Sequence, residues 1–274
     1  MTDLLLVLLG LAVGAFGTLV GAGGGFVLVP VLLLIYPDKS AQTVTSMSLL
    51  VVLANASSGT VAYSLQKRVD YVSGLWFALA TIPGAIGGAI LVGYIPRNAF
   101  DGIFAAVLFV IGTYLFVRPQ TSGIAEPPEG RGIVHRMLTD AHGETFAYAY
   151  PMWKGIAISI AVGFFSSLLG IGGGIIHVPA MATILHFPVH IAAATSHFVI
   201  VFVTAESSAV HFATGAMGWD RSLAEAVLIG IGAVPGAQIG ARLGRKLHGK
   251  IIIRVLASAL LLVAVRLVLE AFSL

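Results

Sequence analysis

The sequence contains no cysteine and very little charge. Without cysteine there is no disulfide framework, no thiol nucleophile and no thiolate metal site. Charged residues make up 10% of the 274 positions, against about 25% in an ordinary soluble domain. A chain that is 58% hydrophobic, with a mean hydropathy of +0.98, cannot hide that surface in one soluble core and keep a charged exterior. A bilayer removes the conflict, because lipid solvates the outer face. The net charge of +3 is small and its carriers sit mostly between apolar runs. That pattern suits loops beside a membrane and argues against a nucleic-acid surface. Nucleotide and catalytic motifs are missing too. No Gly-Lys-Ser/Thr follows a glycine cluster, and no Ser/Lys, paired-Asp or His-Glu-x-x-His constellation is present. ATP-driven transport within this chain and intramembrane catalysis are therefore not expected, and neither is a cofactor or a catalytic residue. Met1-Thr2-Asp3 lacks the basic start of a cleavable signal peptide, so none is expected.

What is present is a series of apolar runs, at 4–36, 43–65, 71–94, 99–117, 153–186, 192–214, 223–243 and 251–272. A membrane-spanning helix needs about 20 such residues. The first and fifth runs are too long for one simple span, and both are interrupted by glycine clusters. The hydrophilic stretch between the fourth and fifth runs holds Glu126-Pro127-Pro128-Glu129, Arg131, His135, Arg136, Asp140 and Glu144. It reads as an interhelical linker with a short amphipathic turn near 133–138. The expected organisation is a transmembrane unit at 1–118, a cytoplasmic linker at 119–151 and a second unit at 152–274.

The two units repeat one another. Gly21-Ala22-Gly23-Gly24-Gly25-Phe26-Val27-Leu28-Val29-Pro30 recurs as Gly170-Ile171-Gly172-Gly173-Gly174-Ile175-Ile176-His177-Val178-Pro179. Thr45-Ser46 matches Thr195-Ser196, Ser57-Ser58 matches Ser207-Ser208, Asp70 matches Asp220, and Pro83-Gly84-Ala85 matches Pro235-Gly236-Ala237. Several motifs in one order at near-constant spacing indicate duplication. Loop charges bear on orientation. If each glycine break reverses the chain, Lys67, Arg68, the linker, Lys154 and the cluster from Arg242 to Arg254 fall on one side. Lys39, Arg97, Arg221 and Arg266 fall on the other. This split obeys the positive-inside rule. It gives five crossings per unit and an inverted repeat, as in many secondary transporters. The fold class expected is thus all-α and polytopic, with about eight to ten membrane segments in two inverted repeats.

Four glycines in five residues make poor helix, since each costs about 1 kcal/mol against Ala. A helix restarting after Gly25 or Gly174 presents free N–H groups and the positive end of its dipole. Two such ends near the midplane would form an anion pocket without a lysine. The competing reading is that the glycines serve close helix packing.

The duplicated Gly-x-Gly-Gly-Gly-x-x-x-Val-Pro pattern resembles that of the TauE/SafE family of anion transporters, the sulfite exporter family. The resemblance covers nearly the whole chain except the linker, and is specific in the two motifs. It implies secondary transport of sulfur-containing anions such as sulfoacetate, sulfolactate, taurine-related compounds or sulfite. It carries over most directly to positions 21–30 and 170–179. His177 departs from its counterpart Leu28.

Polar residues inside spans are candidates by default. Those assigned to substrate are Gly21, Gly23, Gly24, Gly25, Thr45, Ser46 and Asn55 in the first unit. In the second they are Gly170, Gly172, Gly173, Gly174, His177, Thr195, Ser196 and His197. The Thr-Ser pairs would donate to sulfonate oxygens or, alternatively, cap and back-bond their helices. Asn55 would give two donors to an anion or make an interhelical bond. Glu206 is the acidic residue deep in a span, and with His197 it is a candidate for proton coupling or else a structural partner. The histidine spacings do not define a metal site, so no metal is expected. Arg242, four residues after Gln238, would draw anions to the cytoplasmic mouth or anchor the helix at the interface. The chain reads as a multi-pass transporter of the cell inner membrane, monomeric or homodimeric, whose partners are a small anion, the lipid bilayer and a proton. A passive anion channel built on the same helix ends is the alternative.

Overall fold

The structure, a computed structural model, describes residues 2–117 and 132–272. It is an all-α polytopic membrane protein with ten α-helices among those residues. In lipid each backbone polar group needs an internal partner, which only helices and closed barrels supply. Before the undescribed stretch lie α1 (Asp3–Leu19), α2 (Gly25–Ile35), α3 (Ala41–Leu65), α4 (Tyr71–Leu91) and α5 (Arg97–Val117). After it lie α6 (Met152–Leu169), α7 (Gly174–Thr183), α8 (Val189–Ala213), α9 (Arg221–Lys246) and α10 (Gly249–Phe272). Six helices are long and apolar enough to cross a membrane, and α1, α2 and α7 are shorter apolar pieces. The outer face is apolar, as lipid requires: Val110 is 65% exposed and Leu79 is 51% exposed.

The first and fifth apolar runs are each broken at the glycines, as expected. At the first break the chain folds back on itself. A Cβ on Gly24 would stand 2.8 Å from the carbonyl oxygen of Val13, whereas a continuous helix would separate those residues by about 16 Å. At the second, a Cβ on Gly173 would stand 2.7 Å from a methyl of Val162.

The polar loops collect at two ends. At one, Lys39 bonds Glu225 and Ser222, Arg221 pairs with Glu225, and Arg97 donates to the carbonyl oxygens of Lys39 and Leu33. At the other, Arg68 pairs with Asp140, the Ala141 N–H donates to the Gln66 carbonyl, and Arg245 meets His142. Helix directions follow from these contacts. α3 starts at the Lys39 end and finishes beside Asp140. α9 starts at the Lys39 end and finishes at Arg245 against His142. α1 lies parallel to α9, because Gly10 abuts Ile229 and Gly14 abuts Ala233, while Gly236 abuts Leu11 and Gly240 abuts Ala15. α6 leaves the opposite end and lies parallel to α4, with Gly84 against Ile160 and Gly88 against Phe164. A Cβ on Gly10, Gly84 or Gly88 would approach a neighbouring carbonyl oxygen to 1.9, 2.0 or 2.2 Å. Close packing therefore accounts for Gly84 and for Gly236, whose Cβ would stand 2.4 Å from the Leu11 oxygen.

The repeated Asp70 and Asp220 are both helix caps. Asp70 accepts from the Ser73 N–H at 3.0 Å, and Asp220 accepts from the Ser222 N–H at 3.0 Å.

The hydrophilic region differs from expectation. Residues 118–131 lie outside the described residues, and so do Glu126 to Glu129 and Arg131. The following stretch is an antiparallel hairpin, not an amphipathic turn: β1 (Ile133–Thr139) pairs with β2 (Thr145–Pro151), Ile133 opposite Pro151 and Thr139 opposite Thr145. A two-stranded hairpin is marginal alone, and this one is docked. Tyr148 and Tyr150 pack on Phe187 at ring distances of 4.4 and 4.9 Å. The Tyr148 hydroxyl donates to Asp70 at 2.8 Å, and the Tyr150 hydroxyl donates to Ser73 at 2.6 Å. Burial first, then the Asp70 carboxylate, pushes the Tyr148 phenol far above its ordinary value. Both phenols therefore stay neutral donors.

Candidate functional site

The two breaks meet at the centre of the molecule. Gly24 and Gly173 occupy the N-cap positions of α2 and α7 with φ of 85° and 79°, a region that favours glycine. A Cβ on Gly25 would stand 2.6 Å from the Gly170 carbonyl oxygen, and one on Gly174 would stand 2.5 Å from the Ala22 Cα. The two backbones therefore touch, and glycine is the residue that lets them. The first N–H groups of each helix have no intrahelical acceptor.

One face of α3 holds both breaks. Ser48 donates to the Gly170 carbonyl at 2.7 Å, and Asn55 donates to the Gly23 carbonyl at 3.0 Å. Between them Val52 faces Gly23 and Gly172, with Ile200 of α8 alongside. Spacings of four and three residues place Ser48, Val52 and Asn55 on one stripe.

A polar chain leads away from the first break. The Thr18 hydroxyl donates to Asn55 Oδ1 at 3.1 Å, and His197 Nε2 lies 3.3 Å from the same hydroxyl. His197 Nδ1 lies 3.2 Å from the Ala193 carbonyl. Tyr63 donates to the Thr18 carbonyl at 2.7 Å. The protons can be counted. Asn55 must direct Nδ2 at the Gly23 carbonyl, so its Oδ1 takes the Thr18 proton. The Ala193 carbonyl requires a proton on Nδ1. A neutral ring with its proton on Nδ1 leaves Nε2 facing the Thr18 hydroxyl, and a second proton on Nε2 would complete this chain.

Other candidates are placed as follows. Thr45 lies against Gly170, and its hydroxyl has no hydrogen-bond partner among the described residues. Ser46 back-bonds to the Gln42 carbonyl at 2.6 Å. Thr195 accepts the Asp70 N–H at 3.0 Å, and the buried Ser196 hydroxyl has no partner among the described residues. His177 reaches Ser159 at 3.4 Å and packs on Phe77 at 5.7 Å, and its Nδ1 has no partner among the described residues. Glu206 is half-buried on α8, away from this chain of bonds.

Three residues at the site were not singled out from sequence. Thr18 is the junction of the first network. Ser167 bonds Ser207 beside the second break. Ser166 is fully buried, its hydroxyl has no partner among the described residues, and that oxygen lies 3.5 Å from where a Gly173 Cβ would be. A signal existed: Thr18 and Ser167 both stand three residues before the first glycine of their motif.

Residues 6–267 match the sequence profile of the sulfite exporter TauE/SafE family. The chain is 35% identical over 280 residues to the probable membrane transporter protein YunE of Bacillus subtilis, covering 98% of each chain. It is 24% identical over 253 residues to the probable membrane transporter protein ORF9 of a Sinorhizobium species, covering 92% of this chain and 87% of the other. No solved structure matches. With the two glycine motifs inside a match that spans almost its full length, the chain belongs to the sulfite exporter TauE/SafE family.

Proposed function

We propose that this chain is a secondary membrane transporter that carries a small sulfur-containing oxyanion, an organosulfonate such as sulfoacetate or else sulfite, between the two glycine breaks. The observation that carries the reading is the meeting of two glycine-capped helix N-termini beside the buried Ser166 hydroxyl, which has no partner among the described residues. Helix N-termini favour anions through their free N–H groups and their dipole. The family, and the transporter names of the relatives, support transport as the task.

The two units, 1–118 and 152–274, act as an inverted repeat. The direction of α1 toward the hairpin end, and of α6 away from it, supports this. The breaks part on alternate sides as the units rock, exposing the N-termini to each face in turn. The hairpin end, rich in Lys67, Arg68, Arg136, Lys154, Arg242, Arg245 and Lys246, is cytoplasmic, and the membrane is the cell inner membrane. A proton accompanies the anion. His197 is better placed than Glu206 to accept it, because its protonation completes the Thr18–Asn55 chain that ends on the Gly23 carbonyl.

Uptake into proteoliposomes of sulfoacetate, taurine, sulfite and sulfate tests the reading. Saturable flux that responds to an imposed proton gradient supports a coupled transporter. Flux that follows only the electrochemical gradient of the anion points to a channel. No flux of any of the four overturns the proposal.

A further inference from the structure

A hollow of about 220 Å³ opens at the hairpin end, between the last turns of α3 and α9 and the hairpin tip. Its polar wall is Gln66, His142, Gln238, Arg242 and Arg245, and no carboxylate lines it. Arg242 has no ion-pair partner among the described residues, and Arg245 contacts His142 at 3.3 Å. Asp140, at the hairpin tip, is taken by Arg68. Two guanidinium groups, an imidazole and two amides thus converge with no carboxylate among the described residues that line the hollow. Their position at the C-terminal end of α9 suits the helix dipole. The dipole does not explain why the hairpin brings His142 to the same hollow, nor why the buried Oε1 of half-buried Gln66 has no partner among the described residues.

We infer that this hollow is a second oxyanion site, for a sulfonate, sulfate or phosphate group carried by a free solute or by a lipid headgroup. Guanidinium forks match the paired oxygens of such groups. The site is separate from the breaks, yet it is joined to them. Gln238 donates to the Ser58 carbonyl and hydroxyl at 2.8 and 2.9 Å. Ser58 lies one helical turn from Asn55, which holds the Gly23 carbonyl. An anion seated at Arg242 and Arg245 is therefore linked to the first break through Gln238, Ser58 and the helix that carries Asn55.

The test is arginine modification with phenylglyoxal on the whole purified chain, read residue by residue by peptide mass spectrometry. Arg254 of α10 serves as the internal standard. Methanesulfonate and inorganic phosphate are the free probes, and delipidated protein with added phosphatidylglycerol is the lipid arm. Protection of Arg242 and Arg245 by several-fold relative to Arg254, by the free probes, identifies a solute site. The same protection by phosphatidylglycerol alone identifies a headgroup site. Equal labelling of all three arginines under every condition overturns the inference. Protection that persists in a Gly24→Leu variant with no transport separates this site from the proposed central one.

Discussion

A methyl group on Gly25 would stand 2.6 Å from the carbonyl oxygen of Gly170, so the two repeats meet through backbone at that point. Gly25→Ala and Gly174→Ala should therefore each destabilise the protein by about 1–3 kcal/mol, the range for overpacking, and should suppress transport. Gly102, in α5, has nothing within 4 Å of its Cβ position. Gly102→Ala should be neutral or stabilising by about 0.5–1 kcal/mol. Thermal unfolding of the three variants in one detergent checks the contrast.

Thr18→Val keeps the shape of the side chain and removes the junction of the polar chain. Asn55 Oδ1 and His197 Nε2 are then left buried and unbonded. The expected loss is about 1–3 kcal/mol, with a larger proportional loss in uptake rate. Unfolding and flux measured on the same preparation should show both effects.

Proton coupling separates His197 from Glu206. With His197→Gln the uptake rate should lose its response to an imposed proton gradient, while Glu206→Gln should retain it. Flux at matched and opposed gradients reads this directly. The reverse pattern would assign coupling to Glu206.

Docking of the hairpin should depend on pH through Asp140. Burial raises its carboxyl, but hydrogen bonds from Arg68 and from the N–H groups of His142 and Glu144, together with the Arg68 charge, outweigh that effect. They hold it below its ordinary value of 3.8. A carboxyl with a depressed folded value contributes stability above its unfolded value and loses it as pH falls through the folded one. Wild type should thus weaken as pH falls below about 4, and Asp140→Asn should show a flatter profile over that window. Arg68→Met should cost about 1.5–3 kcal/mol at neutral pH, the range for hydrogen bonds to charged groups. Unfolding temperature against pH checks all three statements.

Much of this architecture was legible in the sequence, and the exceptions have physical causes. The breaks were readable because glycine clusters oppose helix wherever they fall. The capping role of the repeated aspartates agrees with their place just before an apolar run. The grouping of Lys39 with Arg221, and of Arg68 with Arg242 and Arg245, followed from loop charges, because charge at a membrane must stay at its faces. The hairpin at 133–151 was missed, since alternation over seven residues in a polar stretch is a weak signal and its docking depends on distant Phe187 and Asp70. Thr18, Ser166 and Ser167 were missed because one hydroxyl in an apolar helix looks the same whether it bonds to its own turn or to another segment. Only the tertiary contact between the breaks separates these cases.

The absence of cysteine makes the most direct test of the central claim clean. Ser166→Cys places one thiol beside the α7 N-terminus, where the account seats the sulfonate. Its labelling by a sulfonate-bearing methanethiosulfonate should be slowed severalfold by sulfoacetate at concentrations that saturate uptake, and unaffected by an uncharged acetamide. Labelling that proceeds at the same rate in saturating sulfoacetate, while that anion is being transported, would contradict the placement of the substrate between the glycine breaks.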